Sequence, residues 1–287
     1  MSTHLATEAT LPAGNNESWK RAYDRCEILG VPVDLVDYET AFAMMHQWRS
    51  CGDRRFVALA TAADIQMSRD RHVRAASRCA ALSLPDGVSI DLAAKLFGYQ
   101  TSGRVTGPEL MLKICDWGRT YAYRHYFYGS TDVVVRGLCE RLTKRYPGLD
   151  IAGHYCPPFR ALTPEEDEQV VRCINACRPD VVWVGLGGTK QLCWMADHVT
   201  RVRAPMMVGV GAAFDFHSGA VKWAPAWMRR CGMEWIHRML TEPRKILPRT
   251  RHTLMFGTRV LAQAIAWRLT GKTGMYKGNP ARTNARA

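Results

Sequence analysis

The chain has 287 residues, 47% hydrophobic and 23% charged, which is enough to bury a full core in one large domain or in one domain with an appendage. No apolar run reaches the roughly 18 uncharged residues of a spanning helix, and Met1–Ser18 lacks a basic region leading into an apolar one, so neither a transmembrane span nor a signal peptide is expected. The net charge of +13 is concentrated at one end: residues 1–221 hold 25 Lys and Arg against 24 Asp and Glu, whereas residues 222–287 hold 14 against Glu234 and Glu242.

Along the chain, strand-like apolar runs fall at Val31–Val36, Phe56–Ala60, Ala81–Leu84, His125–Tyr128, Asp150–Gly153, Val181–Leu186 and Met206–Val210. Helical patterns lie between them, near Glu39–Trp48, Ile65–Ala80, Ser89–Phe97, Pro108–Tyr121, Val133–Tyr146, Pro164–Ala176 and Gln191–Val202. Strands alternating with helices imply parallel crossovers and a doubly wound α/β sheet. Thr163-Pro164-Glu165-Glu166 reads as a helix start, with Thr at the N-cap, Pro at the first turn and Glu at the third helical position, and not as a metal site. The ten cysteines are scattered singly, and Cys173 and Cys177 have helical spacing, so reduced core thiols are expected and not a zinc ribbon.

The last part of the chain carries the charge. Residues 253–269 have helical periodicity, with Leu254, Leu261 and Ile265 near one face, Val260, Ala264 and Trp267 beside them, and Arg259 and Gln263 on the other side. Two readings stand open: an interfacial helix on anionic lipid, or a terminal helix docked on the core. Residues 271–287, rich in Gly, Asn, Lys and Arg, read as a disordered tail. So basic a segment needs an anionic partner: nucleic acid, an acidic membrane surface or a phosphorylated substrate.

Chemistry in such sheets sits at the carboxyl ends of the strands. Val181–Gln191 runs from a buried strand into Gly185-Leu186-Gly187-Gly188-Thr189-Lys190-Gln191, a candidate nucleotide cradle, although glycines there also serve turn geometry alone. Leu84-Pro85-Asp86-Gly87 sets a lone carboxylate after another strand, fit either as a base toward a hydroxyl or as a turn and helix cap. Tyr128-Gly129-Ser130 and Met206–Gly211 make further corners. No Asp-x-Asp pair occurs to clamp a divalent cation.

Taken in order, Thr61 with Asp64, Pro85-Asp86-Gly87, Arg104-Val105-Thr106-Gly107, Tyr128-Gly129-Ser130, Gly185-Leu186-Gly187 with Lys190-Gln191, Phe214-Asp215-Phe216 with Ser218-Gly219, Ala224-Pro225 with Trp227-Met228, Gly232-x-Glu234-Trp235-x-x-Arg238 and Glu242-Pro243-Arg244 resemble the WecG/TagA/CpsF glycosyltransferase family. The resemblance runs from about Val33 to about Arg249. It implies a Rossmann-like parallel sheet with helices on both faces and a basic helical C-terminal appendage, divided as an N-terminal tail (1–30), a core (31–221), an appendage (222–270) contacting active site and membrane, and a disordered tail (271–287). It also implies an inverting, metal-independent, cofactor-free transferase that moves a sugar from a UDP-sugar onto a polyprenyl-diphosphate-linked saccharide in bacterial exopolysaccharide or envelope polysaccharide synthesis. Such an enzyme would sit peripherally on the cytoplasmic face of the plasma membrane, with self-association left open.

Under that resemblance Asp86 is the base, and Thr61, Asp64, Arg104, Thr106, Gly107, Gly129, Gly185, Gly187, Lys190, Gln191 and Asp215 are expected around the substrates. Without a cation, the charge on departing UDP needs another positive group, and Arg238, Arg244 and Arg249 are the forked donors at hand. The chain departs from the family pattern at Ala63 where Asn is common, Leu192 where Glu is common, Trp223 (beside Lys222) where Arg is common, and Pro248 and Thr250 flanking Arg249. These changes imply altered specificity, or a binding subunit of a polysaccharide assembly that no longer catalyses. A nucleic-acid-binding α/β protein is the remaining alternative, but no nucleic-acid motif and no basic-aromatic strand pattern is present, so no nucleic acid is expected.

Overall fold

A computed structural model describes residues 23–270. The described chain opens with an antiparallel hairpin of β1 (Arg25–Ile28) and β2 (Val31–Asp34), paired Ile28 to Val31 across Leu29 and Gly30. Both turn residues have positive φ (52° and 86°), the combination a two-residue hairpin needs to match strand twist. β1 thus falls within the residues 1–30 that the sequence reading set before the core. Val31–Val36 was expected in the main sheet, but its strand stands apart from it because it pairs with β1.

The main sheet has six parallel strands: β3 (Arg55–Ala60), β4 (Leu82–Pro85), β5 (Arg124–Gly129), β6 (Asp150–Tyr155), β7 (Val181–Gly185) and β8 (Met206–Gly209), in the order β4-β3-β8-β7-β5-β6. Alternate residues fill two layers. Leu59, Leu84, Phe127, Trp183 and Val208 pack beneath α1 (Tyr38–Cys51), α5 (Gly107–Trp117), α6 (Asp132–Arg145) and α9 (Ala213–Ser218). Phe56, Ala58, Tyr126, Val182 and Met207 face α3 (Arg71–Cys79), α7 (Pro164–Cys177) and α8 (Gly188–His198). The connection from β5 leads toward β6 and that from β7 toward β8, so the direction of winding reverses between these neighbours and opens a crevice at their carboxyl ends.

Local chemistry explains where elements start and stop. The helix expected over Ile65–Ala80 is two, α2 (Ala62–Met67) and α3, because the Asp70 carboxylate accepts the His72 and Val73 N–H groups (2.8 and 3.2 Å) and begins a new helix. The one expected over Pro108–Tyr121 is α5, tightening into a 3-10 turn at Gly118–Tyr121. At α7 the capping box of Thr163 and Glu166 forms as read from sequence.

A third apolar cluster lies toward the β4 end of the sheet. Ile28, Val31 and Val33 of the hairpin meet Ile65 of α2, Ile90 and Ala94 of α4 (Val88–Leu96), and Phe256 and Val260 of α12 (Pro243–Thr270). Beside it, Asp34 is fully buried, and Arg25 grips it with both guanidinium arms (2.5 and 3.0 Å). Asp34 Oδ2 also accepts the Ser83 N–H of β4 at 2.8 Å, and Arg25 reaches the Ala81 carbonyl. Burial pushes this carboxyl above the usual carboxylate range, while Arg25 and the Ser83 N–H pull it back. Asp34→Ala would leave a nearly buried guanidinium (11% exposed) and a strand N–H without their acceptor. Urea unfolding should show a loss of about 3–5 kcal/mol, set by the uncompensated charge.

Candidate active site

β4 ends at Pro85, and the next residue, Asp86, donates its N–H to the Ala60 carbonyl (3.0 Å), so the parallel register with β3 persists one step past the strand. Gly87 follows with φ 105°, a conformation suited to glycine, and turns the chain into α4. The Pro85 carbonyl accepts the Val105 N–H (2.9 Å) and lays the Arg104 loop alongside. Burial drives the Asp86 carboxyl up to about 7; Glu234 and Asp64 push in the same direction, and Arg104 and Arg238 oppose them. Four charged side chains from three other segments thus act on Asp86.

At the end of β3, the Thr61 hydroxyl caps α2, accepting the Asp64 N–H (3.2 Å) and donating to Asp64 Oδ2 (2.7 Å). Across the crevice is the glycine loop after β7. A Cβ on Gly188 would lie 3.9 Å from Asp64 Oδ1, so the first turns of α2 and α8 face each other. Gln191 is buried, and its Oε1 accepts both the Gly187 N–H (3.3 Å) and the Gly211 N–H (3.0 Å), tying the loop after β7 to the loop after β8. Lys190 is exposed in the first turn of α8.

Several residues expected at the substrates also shape the crevice through the backbone. A Cβ at Gly129 (φ 125°) would stand 2.6 Å from the Gly185 carbonyl carbon, and one at Gly185 2.8 Å from the Phe214 ring. Gly107 seats α5 against Leu59 and the Val210 backbone. Thr106 is buried and gives its N–H to Tyr38 Oη (3.0 Å), which in turn donates to Glu109. Asp215 lies on α9, which packs on α5 and α6.

The appendage closes over this edge through α10 (Ala226–Arg230) and α11 (Glu234–Thr241). Gly232 (φ 73°) is pressed against α4, where an added Cβ would lie 2.2 Å from Val88 Cγ2, two residues beyond Asp86. Arg238 is paired with Glu242 at 3.8 Å and lies 5.5 Å over the Phe216 ring, and its buried Nε has no partner. Phe216 stacks on Trp223 (5.9 Å, 13°), which also meets the His217 ring edge-on (5.2 Å, 89°) and the Arg229 guanidinium at 3.8 Å. Arg229 is anchored by Glu109 at 2.6 Å. Arg244 is exposed at the start of α12; Arg249 lies on α12, and its side chain is outside the described residues.

The departures from the family pattern sort by place. Leu192 is buried in the core under α8, Trp223 belongs to the aromatic platform beside Arg238, and Ala63 sits next to Asp64 on α2. Glu234 was read as part of a motif without a role. Its spacing of four from Arg238 puts both on one face of α11, and that spacing was the available signal.

α12 docks on the core along one face and leaves apolar side chains exposed on another. Phe256, Val260 and Ala264 are buried, and Gln263 and Arg259, on the side away from Leu254, Leu261 and Ile265 as read from the sequence, turn inward: Gln263 bonds the Leu29 N–H (2.9 Å) and the Glu27 carbonyl (3.0 Å), and Arg259 bonds Gln66 (2.9 Å). Leu247, Leu254, Leu261, Ile265 and Leu269 remain exposed. Of the twelve large hydrophobic side chains exposed among the described residues, eight lie between Trp227 and Leu269, so the apolar surface is gathered on the appendage. Among the described residues, no helix is long and apolar enough to cross a membrane, and no group of three or more His, Cys, Asp or Glu is placed to hold a metal ion.

A family model described as Glycosyl transferase WecG/TagA/CpsF family matches residues 26–270. The chain is 29% identical over 215 residues to an N-acetylglucosaminyldiphosphoundecaprenol N-acetyl-beta-D-mannosaminyltransferase of Bacillus spizizenii, covering 74% of this chain and 82% of that protein. Proteins of the same description from Bacillus subtilis (28%) and Staphylococcus aureus (30%) match over 56% of this chain. The chain spans 60% and 61% of their lengths. Gln191→Leu keeps the buried volume but strips two loop N–H groups of their acceptor. Thermal or urea unfolding should report a loss of about 1–3 kcal/mol as the glycine loops part.

Proposed function

The chain belongs to the WecG/TagA/CpsF glycosyltransferase family, and we propose that it moves a sugar from a UDP-sugar to a polyprenyl-diphosphate-linked saccharide by an inverting, metal-independent displacement, with Asp86 as the base. The observation that carries this reading is Asp86 itself, a carboxylate at a strand end, enclosed until its proton affinity lies near neutrality. A base works best when its pKa approaches the working pH, because it is then both ionised and willing to take a proton. In the reaction, Asp86 accepts the proton of the acceptor hydroxyl as that oxygen bonds to the anomeric carbon. The bond from that carbon to the diphosphate breaks on the opposite face, and its electron pair leaves with UDP.

The developing negative charge needs fixed donors. Arg238 offers a buried, unpartnered Nε and a guanidinium held over Phe216, and Arg244 stands nearby in sequence at the start of α12. We assign them, with Arg249, to the diphosphate. Because Gln191 already occupies the Gly187 and Gly211 N–H groups, these arginines are the better-suited donors for phosphate oxygens. The relatives are described as N-acetylmannosaminyltransferases acting on N-acetylglucosaminyldiphosphoundecaprenol, which supplies the first donor and acceptor to assay.

The exposed leucines of α12 alternate with exposed Arg244, Arg251 and Arg268, a composition suited to the boundary of an anionic bilayer. We assign this surface to the inner face of the plasma membrane, where the lipid-linked acceptor resides.

Turnover by Asp86→Asn should fall by roughly 10²–10⁴-fold while UDP binding is retained, read as acceptor-dependent UDP release with chelator present. Undiminished turnover would remove the base assignment. In the unmodified protein the rate should decline as pH falls through about 7, because protonation removes the base. A Leu254→Gln, Leu261→Gln, Ile265→Gln variant should lose at least about tenfold in partition to phosphatidylglycerol vesicles while remaining folded, since all three side chains are exposed. Equal partition would remove the membrane assignment.

A further inference from the structure

The carboxyl-terminal half of α7 and the loop from α8 to β8 flank an open cleft of about 560 Å³. It lies at the amino ends of β7 and β8, the edge of the parallel sheet opposite the one that carries Asp86. Arg172 and Arg178 stand on the α7 wall, Arg201 and Arg203 on the other, and Glu168 is the one carboxylate among the described lining residues. Arg201 already holds Glu168 (2.9 Å) and Asp167 (2.6 Å). Asp180 and Asp150, at the starts of β7 and β6, are taken by Arg49 (2.6 Å) and Arg124 (3.3 Å). Arg172 rests on the neutral Gln169 Oε1 (3.0 Å), and the side chains of Arg178 and Arg203 have no hydrogen bond or ion pair among the described residues. We propose that this cleft is a second anion site, separate from the transfer crevice, for a soluble oligophosphate that carries no nucleobase.

Like charges gathered in one cleft repel, and the fold supplies too little to offset them. The carboxyl ends of α7 and α8 present about half a negative charge each, which balances one guanidinium and leaves the others to a ligand. The walls are fixed beforehand. Asn175 of α7 donates to the Arg201 carbonyl (3.0 Å) and accepts the Arg203 N–H (2.7 Å), so a single amide pins the loop that bears both arginines. Arg178 turns off the end of α7 at φ 46°, in the left-handed region, and Arg124 bonds its carbonyl (3.3 Å). Guanidinia grip phosphate oxygens as forks, and forks on facing walls call for more than one phosphate group to span them. Among the described lining residues none is aromatic, so no ring is placed to stack on a base.

This site stands whether or not Asp86 is the base. Inorganic tripolyphosphate, titrated by calorimetry into the full chain at about 150 mM salt with excess UDP present, should bind at one site. Arg178→Gln combined with Arg203→Gln should weaken that binding at least about tenfold. The melting temperature of the anion-free double variant should not fall, since both side chains are exposed and unpaired. Arg203→Lys, which keeps the charge and loses the fork, should bind with intermediate affinity, and Arg238→Gln should bind as the unmodified protein does. Equal affinity in the double variant, or binding abolished by Arg238→Gln, would overturn the site. Phosphatidylglycerol vesicles separate the two sources of phosphate, and the double variant should partition to them like the unmodified protein. Weakened partition without any binding of tripolyphosphate would give the cleft to lipid headgroups and overturn the soluble ligand.

Discussion

One buried carboxylate fixes the strand on which the rest of the site depends. β4 is the outermost strand of the main sheet, so its outward backbone groups lack a neighbouring strand, and a buried N–H without an acceptor is costly. Asp34 reaches from the hairpin to take the Ser83 N–H, and Arg25 neutralises Asp34 in turn. With β4 held this way on one side and by its ladder with β3 on the other, Asp86 emerges at a defined place beside the Arg104 loop. The hairpin lies outside the main sheet, but it belongs to the machinery that places the base.

The cleft works against the stability of the fold. In the unfolded chain Asp86 would lose its proton in the ordinary carboxylate range, whereas the folded protein holds that proton up to about pH 7. Between those limits the folded state binds the extra proton, so this group's contribution to stability falls as pH rises toward 7 and stays at its least favourable above. A shift of this size amounts to a few kcal/mol. Hydrophobic contacts elsewhere, above all the cluster joining hairpin, α2, α4 and α12, offset it.

The sequence made the six strands and most helices of the body legible because the parallel strands, the edge strand β6 apart, are largely buried on both faces and read as apolar runs. It hid β1, since Leu29 occupies a positive-φ turn position where Asn or Gly would have announced a hairpin. It also hid the short helices α9, α10 and α11, too brief to show a period. In the site, Asp86 and the glycine corners were legible as strand-end features. The division of labour among them was not: Gln191, Thr106 and Gly107 carry ordinary polar or small-residue signatures, yet the first clamps two loops and the others pack α5. Glu234 could be paired with Asp86 only through tertiary structure, because about 150 residues separate them in sequence.

The bonds from Gln263 to Glu27 and Leu29 join segments separated by 236 and 234 positions. At a synthesis rate of about 5–20 residues per second, the hairpin leaves the ribosome tens of seconds before the helix that covers it. During that interval the nascent chain exposes the apolar side of the hairpin, because the α12 residues Phe256 and Val260 that pack against it have not been made. A chain cut before residue 234 would lack both the charged face of α11 beside Asp86 and the exposed leucines of α12, because neighbouring helices late in the sequence carry the two together.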